Sequence, residues 1–258
     1  MLLAIDIGNT NTVLGLFEDD KLAHDWRIRT EADMTIDEYA ITLRSLFAVH
    51  EIPIGGVNDV IISCVVPPVL NSTERFCQKF FHTVPLVVGP GIRTGMPIFY
   101  DNPKEVGADR IVNAVAAFEQ HKRAVIVVDF GTATTFDYIT ERGEYMGGVI
   151  SPGIMISCEA LFQKASKLPR VEIFARPPSI MAKNTIASMN AGIVYGYAGL
   201  VEGIISRMKE ETKQELYVLA TGGLAALIAS ECKLIDSVDE YLTLKGLKII
   251  FDRNKKPA

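Results

Sequence analysis

The sequence predicts an α/β fold built twice, as two similar lobes with a central cleft. Three observations lead there. The chain has 258 residues, 48% of them apolar, enough for a continuous core and for one large domain or two of ordinary size. The segment Leu3-Ala4-Ile5-Asp6-Ile7-Gly8-Asn9-Thr10-Asn11-Thr12 aligns without a gap on Ile126-Val127-Val128-Asp129-Phe130-Gly131-Thr132-Ala133-Thr134-Thr135, at an offset of 129 − 6 = 123 residues. Each copy opens the same order of strand, turn, strand, turn, strand, with helices later. That is a repeat of domain size, too long for a solenoid. We place the lobes at 1–118 and 119–258.

The elements follow in order. Leu2 to Ile5, Thr12 to Phe17 and Leu22 to Ile28 read as strands, the last two joined by a turn at Glu18-Asp19-Asp20. Thr35-Ile36-Asp37-Glu38 fits a helix capping box. Ile36, Tyr39, Ala40, Leu43, Leu46 and Phe47 then recur at helical spacing. Val60 to Val66 reads as a buried strand stopped by Pro67-Pro68, followed by a helix to about Phe81 and a short strand at Pro85 to Val88. Glu105 to His121 reads as a helix. The second copy begins with the strongly apolar strand Ala124 to Asp129, then Thr135 to Ile139, a turn at Glu141-Arg142-Gly143 and a strand into Gly147-Gly148. Near the end, Val218 to Ala220 reads as a strand leading through Thr221-Gly222-Gly223 into a helix from Leu224. Gly192, Gly196, Gly199 and Gly203 share one helical face within Thr185 to Lys213, as a close helix pair or a dimer seam would require.

Bulk properties narrow the functional classes. A net charge of −5 argues against nucleic acid as a partner, since a phosphate-backbone binder needs a basic face. Arg253, Lys255 and Lys256 read as a solvated C-terminal tail. Cys64, Cys77, Cys158 and Cys232 form no CxxC pair and have no zinc-ligand spacing to histidine. They suit free thiols in a reducing cytosol. No membrane span is expected: the apolar stretch near Ala191 to Val201 is far short of the ~20 residues that crossing a bilayer takes. Nor is a targeting segment, because Asp6 stops the run from Met1. His24, His50, His82 and His121 are scattered and read as structural, and Trp26 as core or interface.

The repeated hairpin carries the chemistry. A strand that ends in Asp and turns through Gly leaves backbone N–H groups at the turn, where an anion can approach closely. Asn9, Thr10 and Asn11 in one copy, and Thr132 and Thr134 in the other, add short-reach donors. The carboxylate would hold a cation that bridges to phosphate. Two such hairpins would grip a triphosphate from both sides. The glycine turn at Gly222-Gly223 suits an adenosine or phosphate group at a helix start.

Together, Asp6-Ile7-Gly8-Asn9-Thr10-Asn11, Gly107-Ala108-Asp109-Arg110, Asp129-Phe130-Gly131-Thr132 and Gly147-Gly148-Val149-Ile150-Ser151-Pro152-Gly153 closely resemble type III pantothenate kinase over nearly the whole chain. The resemblance implies the duplicated actin-like fold, also described as ribonuclease H-like and shared with sugar kinases and Hsp70. It implies ATP-dependent phosphorylation of pantothenate, the first committed step of coenzyme A synthesis. It further implies Mg²⁺, a monovalent cation (K⁺ or NH₄⁺), a homodimer and insensitivity to coenzyme A. Carried over by position, Asp6, Ile7, Gly8, Asn9, Thr10, Asn11, Thr12 and Val13 form the first ATP-phosphate loop, and Thr132 is a second ATP contact. Asp109 is the catalytic base. Tyr100, Gly107, Ala108, Asp109, Arg110 and Thr185 bind pantothenate, with Thr185 supplied near the dimer interface. Asp129 is the K⁺ ligand, and Asp6 holds Mg²⁺ through water.

Two other readings share the hairpins: a different small-molecule kinase on the same fold, and an ATP-binding transcriptional accessory factor. The Gly107-to-Arg110 element argues against the first. The retained Asp6, Asp109 and Asp129 and the chain's acidity argue against the second.

Overall fold

The computed structural model describes residues 1–173 and 175–255. In chain order the elements are β1 (Leu2–Ile7), β2 (Asn11–Glu18), β3 (Lys21–Arg29), α1 (Ile36–Val49), β4 (Asp59–Cys64), α2 (Pro67–Phe76), β5 (Leu86–Val87) and α3 (Ala108–His121). There follow β6 (Val125–Phe130), β7 (Ala133–Ile139), β8 (Tyr145–Pro152), α4 (Ile154–Lys164), α5 (Thr185–Thr212), β9 (Tyr217–Gly222), α6 (Ala225–Ala229), β10 (Ser237–Val238) and α7 (Leu242–Asn254).

The chain forms two compact units. One comprises Met1–Met96, Asp101–Ala116 and the stretch from Thr243; the other comprises Pro97–Tyr100 and Ala117–Leu242. Each holds a five-stranded sheet, in the orders β3-β2-β1-β4-β5 and β8-β7-β6-β9-β10. In both, the first strand of the copy runs antiparallel to the second and parallel to the fourth. The duplication therefore extends to every strand, including β5, expected at Pro85 to Val88, and β10, which is too short to show in an apolar pattern.

In the first unit, Leu3, Ile5 and Ile7 of β1 and Val60 and Ile62 of β4 face Tyr39, Leu43 and Phe47 of α1 and Val69 and Phe76 of α2. The capping box at Thr35 forms in full, with Glu38 reaching back to the Thr35 N–H at 2.8 Å. Pro67 and Pro68 do not merely end the strand. They start α2, where a missing N–H costs nothing. The residues up to Phe81 continue as one wide π-turn, closed by His82 in the left-handed region at φ 54°. The opposite sheet face belongs to α3 and α7. Leu244 packs where Gly15 leaves room, and Gly246 lets α7 pass directly over the Val112 carbonyl of α3. Thr243 also donates to Asn113 at 2.7 Å.

This placement departs from a division in chain order, because the residues from Thr243 lie with the first unit. It also corrects the reading of a solvated tail. Arg253 is in the last turn of α7 and donates to the carbonyl of Thr94. Asn254 clamps the Arg93 backbone, accepting from its N–H at 3.0 Å and donating to its carbonyl at 2.9 Å. Lys256 lies outside the described residues. Three basic residues within four positions look like a tail in composition, but the segment from Leu242 to Phe251 before them is a helix that buries Leu244, Leu247 and Ile250.

In the second unit, Ile126, Val128 and Phe130 of β6 and Val218 and Ala220 of β9 pack against Ile154 and Cys158 of α4, a row from Met189 to Ile205 on α5, and Ala225 and Ile228 of α6. Gly192, Gly196 and Gly199 are on the exposed side of α5, and a β-carbon on any of them would meet open space. They are not a close helix crossing within the unit. His24 stacks on Trp26 at 5.7 Å, and His121 packs tilted against Tyr217 at 4.3 Å. All four cysteines are free thiols. Among the described residues, no helix is long and apolar enough to cross a membrane.

Candidate active site

Each unit carries its own Asp-x-Gly hairpin. In the first, Asp6 is near the end of β1 and the loop from Gly8 to Thr10 leads into β2. The Gly8 N–H bonds to the Asn11 carbonyl at 3.0 Å. Thr30, just past β3, braces this loop. Its hydroxyl donates to the Gly8 carbonyl at 2.8 Å and contacts the Thr12 hydroxyl at 2.9 Å, and its N–H donates to the Thr10 carbonyl at 3.0 Å. Asn9 and Thr10 stay exposed at the tip, where a ligand could reach them.

The second hairpin is one residue shorter. Its Gly131 N–H bonds to the Ala133 carbonyl at 3.1 Å. The gapless alignment of the two copies therefore holds through the glycines and then slips by one. Val13 stands opposite Asp6, whereas Thr135 stands opposite Asp129. Runs of Thr and Asn look alike in sequence, and only the pairing register exposes the difference.

The neighbouring parallel strands add a feature the motifs missed. Ser63 of β4 is registered beside Asp6, and Thr221 of β9 beside Asp129. Both are buried, at 0% and 2% exposure, and the Ser63 hydroxyl has no hydrogen-bond partner among the described residues. Paired residues on adjacent strands share a sheet face. Asp6 is thus flanked by one hydroxyl and Asp129 by two. The glycine turn at Gly222 serves this second cluster. It adopts φ +96°, and a β-carbon there would come within 2.7 Å of both Asp129 Oδ1 and the Phe130 carbonyl.

The Gly107-to-Arg110 element opens α3. Gly107 precedes the helix, and a β-carbon on it would lie 2.5 Å from Asp109 Oδ1. Only glycine lets the carboxylate fold back over the helix start. There Asp109 Oδ1 accepts the Arg110 N–H at 2.8 Å. Burial pushes the Asp109 carboxyl above the usual carboxylate range, against the opposing pull of that N–H and of the Arg110 guanidinium. Arg110 is itself only 8% exposed. The helix begins at Ala108 rather than Glu105, because Asn102 caps a separate short turn over Pro103–Glu105.

The expected residues thus fall into two groups. Asp6 to Val13 and Gly107 to Arg110 belong to the first unit. Tyr100, Asp129, Thr132 and Thr185 belong to the second. Thr185 is exposed in the first turn of α5, which Asn184 caps by accepting the Ala187 N–H at 2.9 Å.

The donor sets bear on cations. Among the described residues, no three His, Cys, Asp or Glu side chains gather as a metal cage. Asp6 beside one hydroxyl fits a cation that keeps most of its ligands as water and phosphate oxygen, as Mg²⁺ does. Asp129 between Thr135 and Thr221 offers oxygen donors alone, which suits a hard cation and not a soft one.

Residues 2–207 match the family model described as type III pantothenate kinase. The chain belongs to the type III pantothenate kinase family. It is 77% identical over 256 residues to the type III pantothenate kinase of Syntrophobacter fumaroxidans, covering 99% of each chain. It is 62% identical over 254 residues to that of Syntrophus aciditrophicus, covering 98% of this chain and 100% of the relative. It is accordingly a pantothenate kinase of coenzyme A biosynthesis, and as a kinase it uses ATP with a divalent metal. Solved structures share the actin-like fold at low identity. The activator of 2-hydroxyisocaproyl-CoA dehydratase from Clostridium difficile, with bound ADPNP, superposes at TM-score 0.55 and 11% identity, covering 100% of this chain and 98% of its own. A protein described as a Baf family transcriptional activator from Campylobacter jejuni superposes at 0.59 and 19% identity, covering 98% of each.

Proposed function

We propose that Asp109 is the general base of this pantothenate kinase. The observation that carries this is the carboxylate at the start of α3, held by the Arg110 N–H and raised in pKa by burial. The primary hydroxyl oxygen of pantothenate attacks the γ-phosphorus of ATP. The bond to the ADP oxygen breaks, and the hydroxyl proton passes to Asp109. Arg110 is permanently charged and planar, so it steadies the pantothenate carboxylate or the transferring phosphoryl group. Tyr100, Gly107, Ala108 and Thr185 are assigned to pantothenate binding.

The braced loop from Asp6 to Val13 and the exposed Thr132 receive the phosphates of ATP. Asp6 would hold Mg²⁺ through water, and Asp129 with its flanking threonines would hold K⁺ or NH₄⁺. When bound, these cations offset the charge on the phosphates. The one-residue slip between the hairpins supports this division, since it gives Asp129 a second hydroxyl and leaves Asp6 with Val13.

The enzyme works as a homodimer in a reducing cytosol. Four free thiols support the compartment. The dimer is supported by Met146, Val149 and Ile150 on β8 and Met155 and Ile156 on α4, all exposed, and by the open glycine face of α5 in the same unit. A coupled assay for ADP release tests the reading. ADP should form only with pantothenate present, and faster with K⁺ than with Na⁺. Release without pantothenate would indicate hydrolysis, and equal rates in the two salts would remove Asp129 from cation binding.

A further inference from the structure

One buried acid of the second unit has no part in the reaction described above. Asp137 on β7 is 1% exposed. Its Oδ1 accepts the Tyr145 hydroxyl at 2.7 Å, and its Oδ2 accepts the Thr135 hydroxyl at 3.4 Å. Tyr145 opens β8 and is fully buried. A buried carboxylate is unfavourable unless hydrogen bonds compensate it. An apolar pair of similar volume would fill this space at less cost, so it matters what the acid fixes in place.

It fixes Tyr145, and Tyr145 in turn holds a separate piece of chain. The Tyr145 N–H donates to the Pro97 carbonyl at 2.9 Å, and its carbonyl accepts the Phe99 N–H at 2.8 Å. Ile98 and Tyr145 form an isolated parallel bridge. This segment is therefore added to the sheet through a single residue, and it ends at Tyr100. The Tyr100 ring is 6.5 Å from the Tyr145 ring, tilted by 53°. It rests over Gly147, where φ is +109° and a β-carbon would sit 3.5 Å from the ring. Backbone and ring contacts alike run from Tyr145 to Tyr100.

We propose that Asp137 and Tyr145 are positioning residues for the acceptor substrate. Asp137 locks the Tyr145 hydroxyl, Tyr145 sets the 97–99 segment, and that segment sets the angle of Tyr100. The inference rests on the assignment of Tyr100 to pantothenate binding. Neither Asp137 nor Tyr145 touches substrate. Their effect belongs to the affinity for a small hydroxy acid, not to the chemical step or to ATP.

Steady-state kinetics on Tyr145→Phe, Tyr100→Ala and the double variant test this. Tyr145→Phe keeps the ring and removes only the donor. Its pantothenate KM should rise about tenfold, while kcat and the ATP KM change less than about twofold. In the Tyr100→Ala background the same change should add almost nothing, because both act through one ring. Asp137→Asn keeps an acceptor for the Tyr145 hydroxyl and should stay near wild type, whereas Asp137→Val should raise the pantothenate KM as Tyr145→Phe does, measured at saturating K⁺ because it also frees Thr135 beside Asp129. That pair also serves if Tyr145→Phe folds poorly. Multiplicative effects of the two tyrosine changes, or a lowered melting temperature with pantothenate KM unmoved, would overturn the positioning role alone. An unchanged pantothenate KM in Tyr100→Ala itself would overturn the acceptor assignment of Tyr100, and the inference with it.

Discussion

At the residue scale, two opposing effects act on Asp109. Burial raises its pKa, while the Arg110 N–H and guanidinium lower it, and burial prevails. The sign has two consequences. A base acts only when ionised, so kcat/KM should fall as pH drops through a value above the ordinary Asp range. A carboxyl whose folded pKa is raised stabilises the fold only when protonated, a contribution lost as pH rises through that pKa. Asp109→Asn should therefore lose roughly 10²–10⁴-fold in kcat, yet melt at pH 7 no lower than wild type. A variant that loses activity and several degrees of melting temperature together would assign Asp109 to folding instead. The residues legible in the sequence were those within contiguous motifs. Ser63, Thr135 and Thr221 were not, because their place beside Asp6 and Asp129 comes from pairing between strands far apart in sequence. Thr30 and Tyr145 were missed for the same reason, since each acts across the sheet on a different segment.

At the scale of elements, local chemistry was readable wherever it was self-contained. The capping box at Thr35 and the first three strands needed nothing beyond their own residues. α4, β10 and α7 went unread. β10 is two residues long and exists because β9 offers it an edge. α7 has a clear apolar face, but its charged end has the composition of a tail. The crossing of α7 over α3 rests on Gly246, where any side chain would overlap the Val112 carbonyl. Backbone cannot yield there as a flexible side chain does. Gly246→Ala should cost about 1–3 kcal/mol, as overpacking does. Chemical denaturation would show it as a lower midpoint, and an unchanged midpoint would mean that α7 shifts freely on α3.

For the molecule as a whole, the repeat predicts two similar lobes, and the two sheets share one strand order. It could not foretell that the chain returns to its first unit at Thr243, because repeats align beginnings and say nothing of ends. The homodimer proposal is tested at this scale. Sedimentation of wild type at micromolar concentration should give the mass of two chains, and the paired change Ile150→Glu with Ile156→Glu should give that of one. A wild type that sediments as a single chain would end the dimer reading. The return of α7 also bears on synthesis. The first unit's share of α3 is complete at Ala116, but the helix that packs Leu244 on Gly15 ends at Asn254, 254 − 116 = 138 residues later. At ribosomal speeds of 5–20 residues per second, that is roughly 7 to 28 s in which α3 alone is available to cover that sheet face. The second unit, made later, has its own α4, α5 and α6 in hand sooner. The half of the protein that leaves the ribosome first is the half that finishes folding last, and a chaperone has its longest opportunity there.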